Sequence, residues 1–316
     1  VGIFDGLRQR APDPAPTSGN ADGVARLSRL DRLPRWLKIL GGLVLLAVGY
    51  YGIGGAILSD TSADTTLRPT ADLLPPGGSV TVATAAMLID DAINNRGWTP
   101  NNGLLAPTAT LDEMPAFQRG QQAVIAAYAG ALNTATGGDP DTAEAAEALA
   151  TDPGRSWIHA DFPFFGGSAE ARYSAAVGAL ARYNRALGDS GAAPAEAAQL
   201  RLLLVAIDRA IANKVAIVDD VVKGRAPPGE NRAAKFHQVR GAAYAAAMLL
   251  RGLVEDFGPV IRDRKLGAAL AAAIEDLDSI AASEPFSVGL EDLVGQGYRL
   301  LTARAALATV RSGTAS

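Results

Sequence analysis

Two histidines and no cysteine limit the chemistry available to these 316 residues. Without cysteine there is no thiol nucleophile, no thiolate-bound zinc and no iron–sulfur cluster. His159 stands two residues before Asp161 in the irregular stretch DPGRSWIHADFPFFGG, residues 152–167. A carboxylate at that spacing can orient an imidazole as a general base, or the histidine simply bonds a backbone group. His237 follows Phe236 in a helical pattern and reads as a residue at the boundary of a core. Acids gather at Asp219-Asp220, at Glu255-Asp256 and at Glu275-Asp276-Asp278. Such groups can bind a divalent cation, and they are equally what a solvated helix face looks like. Gly-Lys never occurs, so there is no Walker loop. HExxH, Glu-x-x-His, Gly-x-Ser-x-Gly and Ser-x-x-Lys are missing as well. Gly295-Gln-Gly297 lacks the third glycine of a dinucleotide fingerprint. The sequence therefore names no catalytic residue, no metal ligand and no cofactor.

Polar and aromatic residues concentrate in two irregular regions, 97–118 and 152–168. Long loops in compact domains are often functional. They supply a candidate interaction surface: Trp98, Pro100, Asn101, Asp112, Met114 and Phe117 from the first, Trp157, His159 and Asp161 from the second. In the competing reading the tryptophans plug the end of a helical bundle, while Asn101 and Asp112 cap helices. The plug is the preferred reading for Trp157, and both readings stay open for Trp98. If the loops meet around a pocket, Asp112, Glu113, His159 and Asp161 would suit an enzyme or ligand binder acting on cell-wall or lipid material.

The elements that must position these loops are helical. Apolar residues recur at spacings of three and four in segments near 79–95, 115–133, 142–150, 168–187, 194–223, 232–257, 259–282 and 287–311. Ser79 or Thr81 can cap the first, Ser168 another, and Pro194 suits a first helical turn. The longest seam is Leu200, Leu203, Leu204, Ile207, Ile211, Val215, Val218 and Val222. No β-type alternation persists, so residues 79–312 read as an all-α bundle.

Ahead of that bundle the composition changes. Ile39 to Leu58 carries no charge over twenty residues, with Trp36 just before it. Twenty helical residues rise about 30 Å, the thickness of a bilayer's hydrocarbon core, and an indole suits the interface. Residues 36–58 thus read as a transmembrane helix, and the long charged leader favours an uncleaved anchor over a signal peptide. Seven basic and four acidic residues lie up to Leu58, against 22 and 29 in the remainder. The positive-inside rule then puts the N-terminus in the cytoplasm and the bundle in the periplasm. Residues 1–35 read as a disordered, basic tail, with the Arg/Leu-rich RLSRLDRLPRWLK over 26–38, and 59–78 read as a Pro/Gly-rich linker. The tail's arginines either lie on anionic headgroups or only fix topology. Glycines within the span, with Gly52 and Ala56 as a small-xxx-small pair, permit close helix pairing.

The run Gly97-Trp98-Thr99-Pro100-Asn101, then Leu111-Asp112-Glu113-Met114-Pro115-Ala116-Phe117-Gln118, resembles a family of proteobacterial membrane proteins known as domain of unknown function 2333. Trp157, Ser168-Ala169-Glu170 and Tyr173 are similar to a later part of that family's pattern. The resemblance covers roughly residues 37–310, and Glu113 stands where the family has Asn. It implies a Gram-negative inner-membrane origin and no particular activity.

These readings converge on an N-terminal transmembrane helix followed by a periplasmic helical bundle that acts by protein–protein contact, as an accessory or scaffold subunit of an inner-membrane complex. Its expected partners are the bilayer and a membrane or periplasmic protein. The acidic outer part disfavours nucleic acid, because phosphate contacts need a clustered basic face. The alternatives are an envelope enzyme or ligand binder using the two loops, and a membrane organiser working through the basic segment.

Overall fold

A computed structural model describes residues 34–58, 61–103, 112–157, 167–190, 196–227 and 231–314. The described residues contain ten α-helices and no strand. They are α1 (Arg35–Leu58), α2 (Val80–Asp90), α3 (Glu113–Ala135), α4 (Pro140–Leu149) and α5 (Ala169–Ser190). Then come α6 (Ala197–Val222), α7 (Arg232–Asp256), α8 (Gly258–Asp263), α9 (Gly267–Ala281) and α10 (Leu290–Gly313). The chain divides into two compact units after Tyr50.

Helix α1 is long and apolar enough to cross a membrane, over Arg35–Ile53, and none of that window is buried by protein. Trp36 and Ile39 are both exposed; the side chain of Leu58 lies outside the described residues. A soluble helix hides one apolar stripe, whereas α1 shows apolar side chains on every side.

In the second unit, α7 is the central helix. It is buried along most of its length from Phe236 to Leu253 and packs against α2, α3, α6 and α9. Its closest partner is α3, and glycine makes that approach possible. A Cβ on Gly241 would overlap the Phe117 carbonyl, and one on Gly120 would overlap the Gln238 carbonyl. The two backbones touch at this crossing, and the Phe117 and Tyr244 rings stack beside it at 6.0 Å. Helix α5 covers α2 and α4, while α10 lies across α6 and α9.

Ser79 caps α2 as its sequence position suggests, accepting from the Val82 amide. A second cap comes from across the fold. Asp256, at the end of α7, accepts from the Ser79 and Thr81 hydroxyls and from the Val80 and Thr81 amides, all within 3.0 Å. A carboxylate there satisfies orphan amides and opposes the positive end of the helix dipole. Helix α2 ends in a single π turn, Asp91–Asn95, where Asp91 pairs with Arg96 at 2.7 Å.

Three boundaries depart from the sequence reading. The segment expected as a linker is laid onto the bundle: over 61–78 it is held by the Tyr244 hydroxyl on the Asp64 carbonyl, by Arg96 on the Ser62 carbonyl, and by the buried Asn184 amide on the Leu73 carbonyl. Gly188 lets this segment close in, since a Cβ there would sit 2.7 Å from the Pro76 carbonyl oxygen. The single helix expected over 259–282 is two, α8 and α9. Lys265 takes a left-handed φ of 56°, and the Leu266 amide returns to the Ile261 carbonyl at 2.9 Å, as in a Schellman turn. Pro194 lies outside the described residues, and α6 starts at Ala197 with Glu196 before it.

Candidate functional site

The two loop regions do meet, in their described parts. Trp98 is 4% exposed; its indole donates to the Pro153 carbonyl at 3.0 Å and meets Tyr173 edge-on at 5.0 Å. The Asn101 amide donates to the Arg155 carbonyl and to Glu170. The Tyr173 hydroxyl donates to the Thr151 carbonyl at 2.7 Å, and its burial pushes the phenol well above the ordinary tyrosine range.

Behind them the glutamines of α3 satisfy backbone that the turns leave open. Gln118 accepts from the amide and hydroxyl of Thr99 and donates to the Ala92 and Gly97 carbonyls. Gln121 donates to the Leu88 carbonyl and Gln122 to that of Leu149. Each of these buried amides is a polar group that would be costly without a partner.

The expected interaction surface is thereby corrected in part. Trp98, Pro100, Met114 and Phe117 are buried in the core. They build the join and cannot offer a contact surface. Trp157, preferred as a plug, is 62% exposed. Asn101 is half-buried at the loop junction, and Asp112 is exposed. Asp112 occupies the N-cap position of α3 without a side-chain cap bond, and accepts instead from Asn231 at 2.7 Å. His159 and Asp161 lie outside the described residues.

Around Glu113, next to Asp112, a different set of residues assembles. A cleft of about 470 Å³ is lined by Thr61, Ser62, Glu113, His237, Arg240, Glu284, Phe286 and Ser287. Four elements supply it: the extended segment after α1, the first turn of α3, the first half of α7, and the α9–α10 connection. Arg240 forms its floor and is 1% exposed. All five guanidinium hydrogens have acceptors. Nε and Nη2 reach the Ala281 carbonyl at 3.2 and 3.0 Å, and Nη2 reaches Glu284 at 2.8 Å. Nη1 reaches the Thr61 hydroxyl at 3.2 Å and His237 Nδ1 at 3.3 Å.

That last contact fixes the state of His237. Arginine can only donate, so Nδ1 is the acceptor and the proton of the neutral ring sits on Nε2. Burial and the Arg240 charge lower the His237 pKa to about 4. Nε2 lies 3.7 Å from the Glu113 carboxylate, beyond hydrogen-bond length, and faces the cleft. At neutral pH the cleft thus presents an uncharged N–H donor, the Glu113 carboxylate and the Ser287 side chain. Beside them Phe286 stands fully exposed. The ring's lone pair is already engaged by Arg240, so His237 offers a hydrogen bond and no base. Sequence reasoning missed this set because Glu113, the His237–Arg240 pair and Glu284 come from three different elements, with no motif spacing.

Of the acidic groups, Asp219, Asp220, Asp256, Asp276 and Asp278 are engaged within the fold. Asp219 and Asp220, in the last turn of α6, pair with Lys223 and Arg225 just beyond it. Asp276 bonds Thr302, and Asp278 bonds Arg251. Among the described residues no group of three or more histidines and acids is placed to hold a metal.

One further ionisable group is buried. Lys214, on the seam of α6, is 5% exposed, has no hydrogen bond or ion pair among the described residues, and has its pKa lowered to about 8 by burial and by the charge of Lys235. In the unfolded chain it titrates near 10.5. Below pH 8 both states carry the proton and the folded state bears the full cost of a buried charge. Between 8 and 10.5 the unfolded state holds more protons, so stability rises with pH. A gap of that size corresponds to about 3 kcal/mol. Lys214→Met should therefore raise stability at pH 7 by a large part of that amount. It should also flatten the rise between pH 8 and 10.5, as read by urea unfolding at both ends of the range. An unchanged slope in the variant would assign the pH dependence elsewhere.

Compared with protein-family models, with curated proteins and with solved structures, the chain matches none of them.

Proposed function

We propose that this chain is a single-pass protein of the bacterial inner membrane whose helical domain, in the periplasm, acts by binding another protein as an accessory or scaffold subunit. Helix α1 supports the anchor, since a helix apolar on all sides is stable in hydrocarbon and costly in water. The basic excess up to Leu58 and the acidic excess after it support the orientation. The likeness to the domain of unknown function 2333 family points the same way.

The observation that carries the binding reading is the state of the cleft. A neutral N–H donor beside an exposed carboxylate, with an exposed phenylalanine at the rim, offers a docked segment a hydrogen bond, a charge and an apolar contact. The free carboxylate favours a segment that presents a basic side chain, with Phe286 against its aliphatic stem.

The test is affinity capture of the full chain in mild detergent. Glu113→Lys and Phe286→Ala should each lower the yield of the same captured protein by about ten-fold, the effect of ~1.4 kcal/mol. Both side chains are exposed, so the fold should tolerate the changes. Equal yields from both variants would remove the cleft as the docking point. A reporter fused after Thr314 should be active only on the periplasmic side; cytosolic activity would overturn the orientation.

A further inference from the structure

The segment after α1 limits how far the bundle can stand from a membrane. The uncharged run ends at Leu58, and Asp60 is the first charge beyond it. A carboxylate is costly in hydrocarbon, so an α1 that spans a bilayer leaves the hydrocarbon before Asp60. Thr61 comes next and already belongs to the domain. It is 8% exposed, and its hydroxyl accepts from Arg240 at 3.2 Å. The Ser62 carbonyl is held by Arg96 at 2.7 Å and the Asp64 carbonyl by Tyr244 at 2.8 Å. A flexible linker over 59–78 would let the bundle stand off by about 25 Å. Instead only Ser59 and Asp60 separate Leu58 from Thr61, and that length of chain reaches at most about 11 Å. The headgroup layer is itself about 5–8 Å deep. Thr61 and Ser62 are walls of the cleft that holds Glu113, His237 and Phe286.

Building on α1 as the anchor and on the cleft as the docking point, we propose that the cleft opens at the headgroup layer of the bilayer that α1 spans. The segment it takes comes from another membrane-spanning protein, from the residues just outside that protein's own span. Depth and chemistry both select this occupant. A spanning chain has residues at the headgroup layer by construction, whereas a soluble protein would have to push lipid headgroups aside to bring a segment there. Lysine and arginine near the ends of a span lay their stems along apolar surface and put the charge at the interface. That delivers a basic head on an aliphatic stem at the depth of the Glu113 carboxylate, which is half exposed, and of the Phe286 ring, which is fully exposed.

The chain contains no cysteine, so a single introduced thiol reports on one place. Ala282 is exposed and follows the residue whose carbonyl Arg240 holds at the floor of the cleft. Full-length Ala282→Cys should be labelled with a fluorophore and reconstituted in phosphatidylcholine vesicles. Its emission should fall at least about two-fold when part of the lipid carries a nitroxide on the headgroup. An unquenched label on a chain that resists carbonate extraction would overturn the proposal and leave the anchor standing. Release of the chain by carbonate would remove the anchor itself, and the proposal with it. For the occupant, the same thiol should carry a photoreactive biotin on a cleavable disulfide, activated in spheroplasts and then reduced. The biotin should remain on a protein that carbonate leaves in the membrane, and adding Glu113→Lys should lower that labelling about ten-fold. Biotin on a protein that carbonate releases, with the same dependence on Glu113, would keep the cleft as a docking point and overturn the membrane-spanning occupant. Equal labelling with and without Glu113→Lys would remove the cleft as the docking point, and the proposal with it.

Discussion

Arg240→Met should lower the unfolding free energy by about 3–5 kcal/mol, the range for removing one partner from a buried charged network. The side chain is 1% exposed and all its donors are used. Methionine fills much of the volume but returns none of the hydrogen bonds. The Ala281 carbonyl, at the end of α9, would lose the guanidinium that caps it. Thr61 would lose its tie to α7, and Glu284, already largely exposed, would relax into water. Arg240→Lys should recover only part of the loss, because three donors on a point charge cannot reproduce a planar fork.

A second readout separates this network from ordinary packing. The Arg240 charge helps hold the His237 pKa at about 4. Without it, the imidazole should titrate closer to 6.5, visible by NMR of the ring protons. A loss under about 1 kcal/mol with an unmoved His237 titration would mean that the guanidinium is not the organising group here.

Gly241→Ala should cost about 3 kcal/mol, the upper part of the usual range for overpacking a core. The sign is the informative part. Alanine stabilises a helix interior by up to about 1 kcal/mol relative to glycine. At Gly241, however, the added methyl would occupy the Phe117 carbonyl of the neighbouring helix. Backbone cannot step aside as a side chain can, so α3 and α7 must separate along their whole contact. Gly120→Ala meets the Gln238 carbonyl at the same crossing and should behave alike. The double variant should cost less than the sum, because the first methyl already opens the gap that the second would need. Gly130→Ala is the control. It lies on the exposed side of α3 with nothing near its Cβ position, and should be neutral or stabilising. Thermal unfolding of the full chain in mild detergent compares the four variants. A loss at Gly130 equal to that at Gly241 would refute the crossing as the cause.

Much of the architecture was legible along the chain. The seam of α6 buries Leu200, Leu203, Leu204, Ile207, Ile211 and Val218, as its period requires. Ser79 caps α2, and the Ser168 hydroxyl accepts from the Ala171 amide at the start of α5. Such features depend on residues within one or two turns of each other. The break between α8 and α9 was hidden because its left-handed residue is Lys265, where glycine is the usual marker. The packed course of 61–78 was hidden for a different reason. A segment rich in proline and glycine has the composition of a tether, and three of its anchors, Asn184, Tyr244 and Arg240, lie more than a hundred residues away.

The candidate site divides along the same line. The motif Met114-Pro115-Ala116-Phe117-Gln118 stood out by residue type, yet type could not say whether those side chains face a partner or the core. They face the core, and Gln118 serves the neighbouring loop. His237 was visible as a histidine, but its neutrality depends on Arg240, one turn along the same helix, and on burial by other elements.

By itself, the order of residues determined the apolar helix, the all-helical body and the register of its buried faces, because hydrophobic periodicity is a local property. The tertiary structure alone decided which polar groups would share a cleft, which lysine would be buried, and which helix would keep apolar side chains exposed. Those outcomes arise from contacts between segments far apart in the chain, where desolvation and charge act through space and leave no trace in spacing.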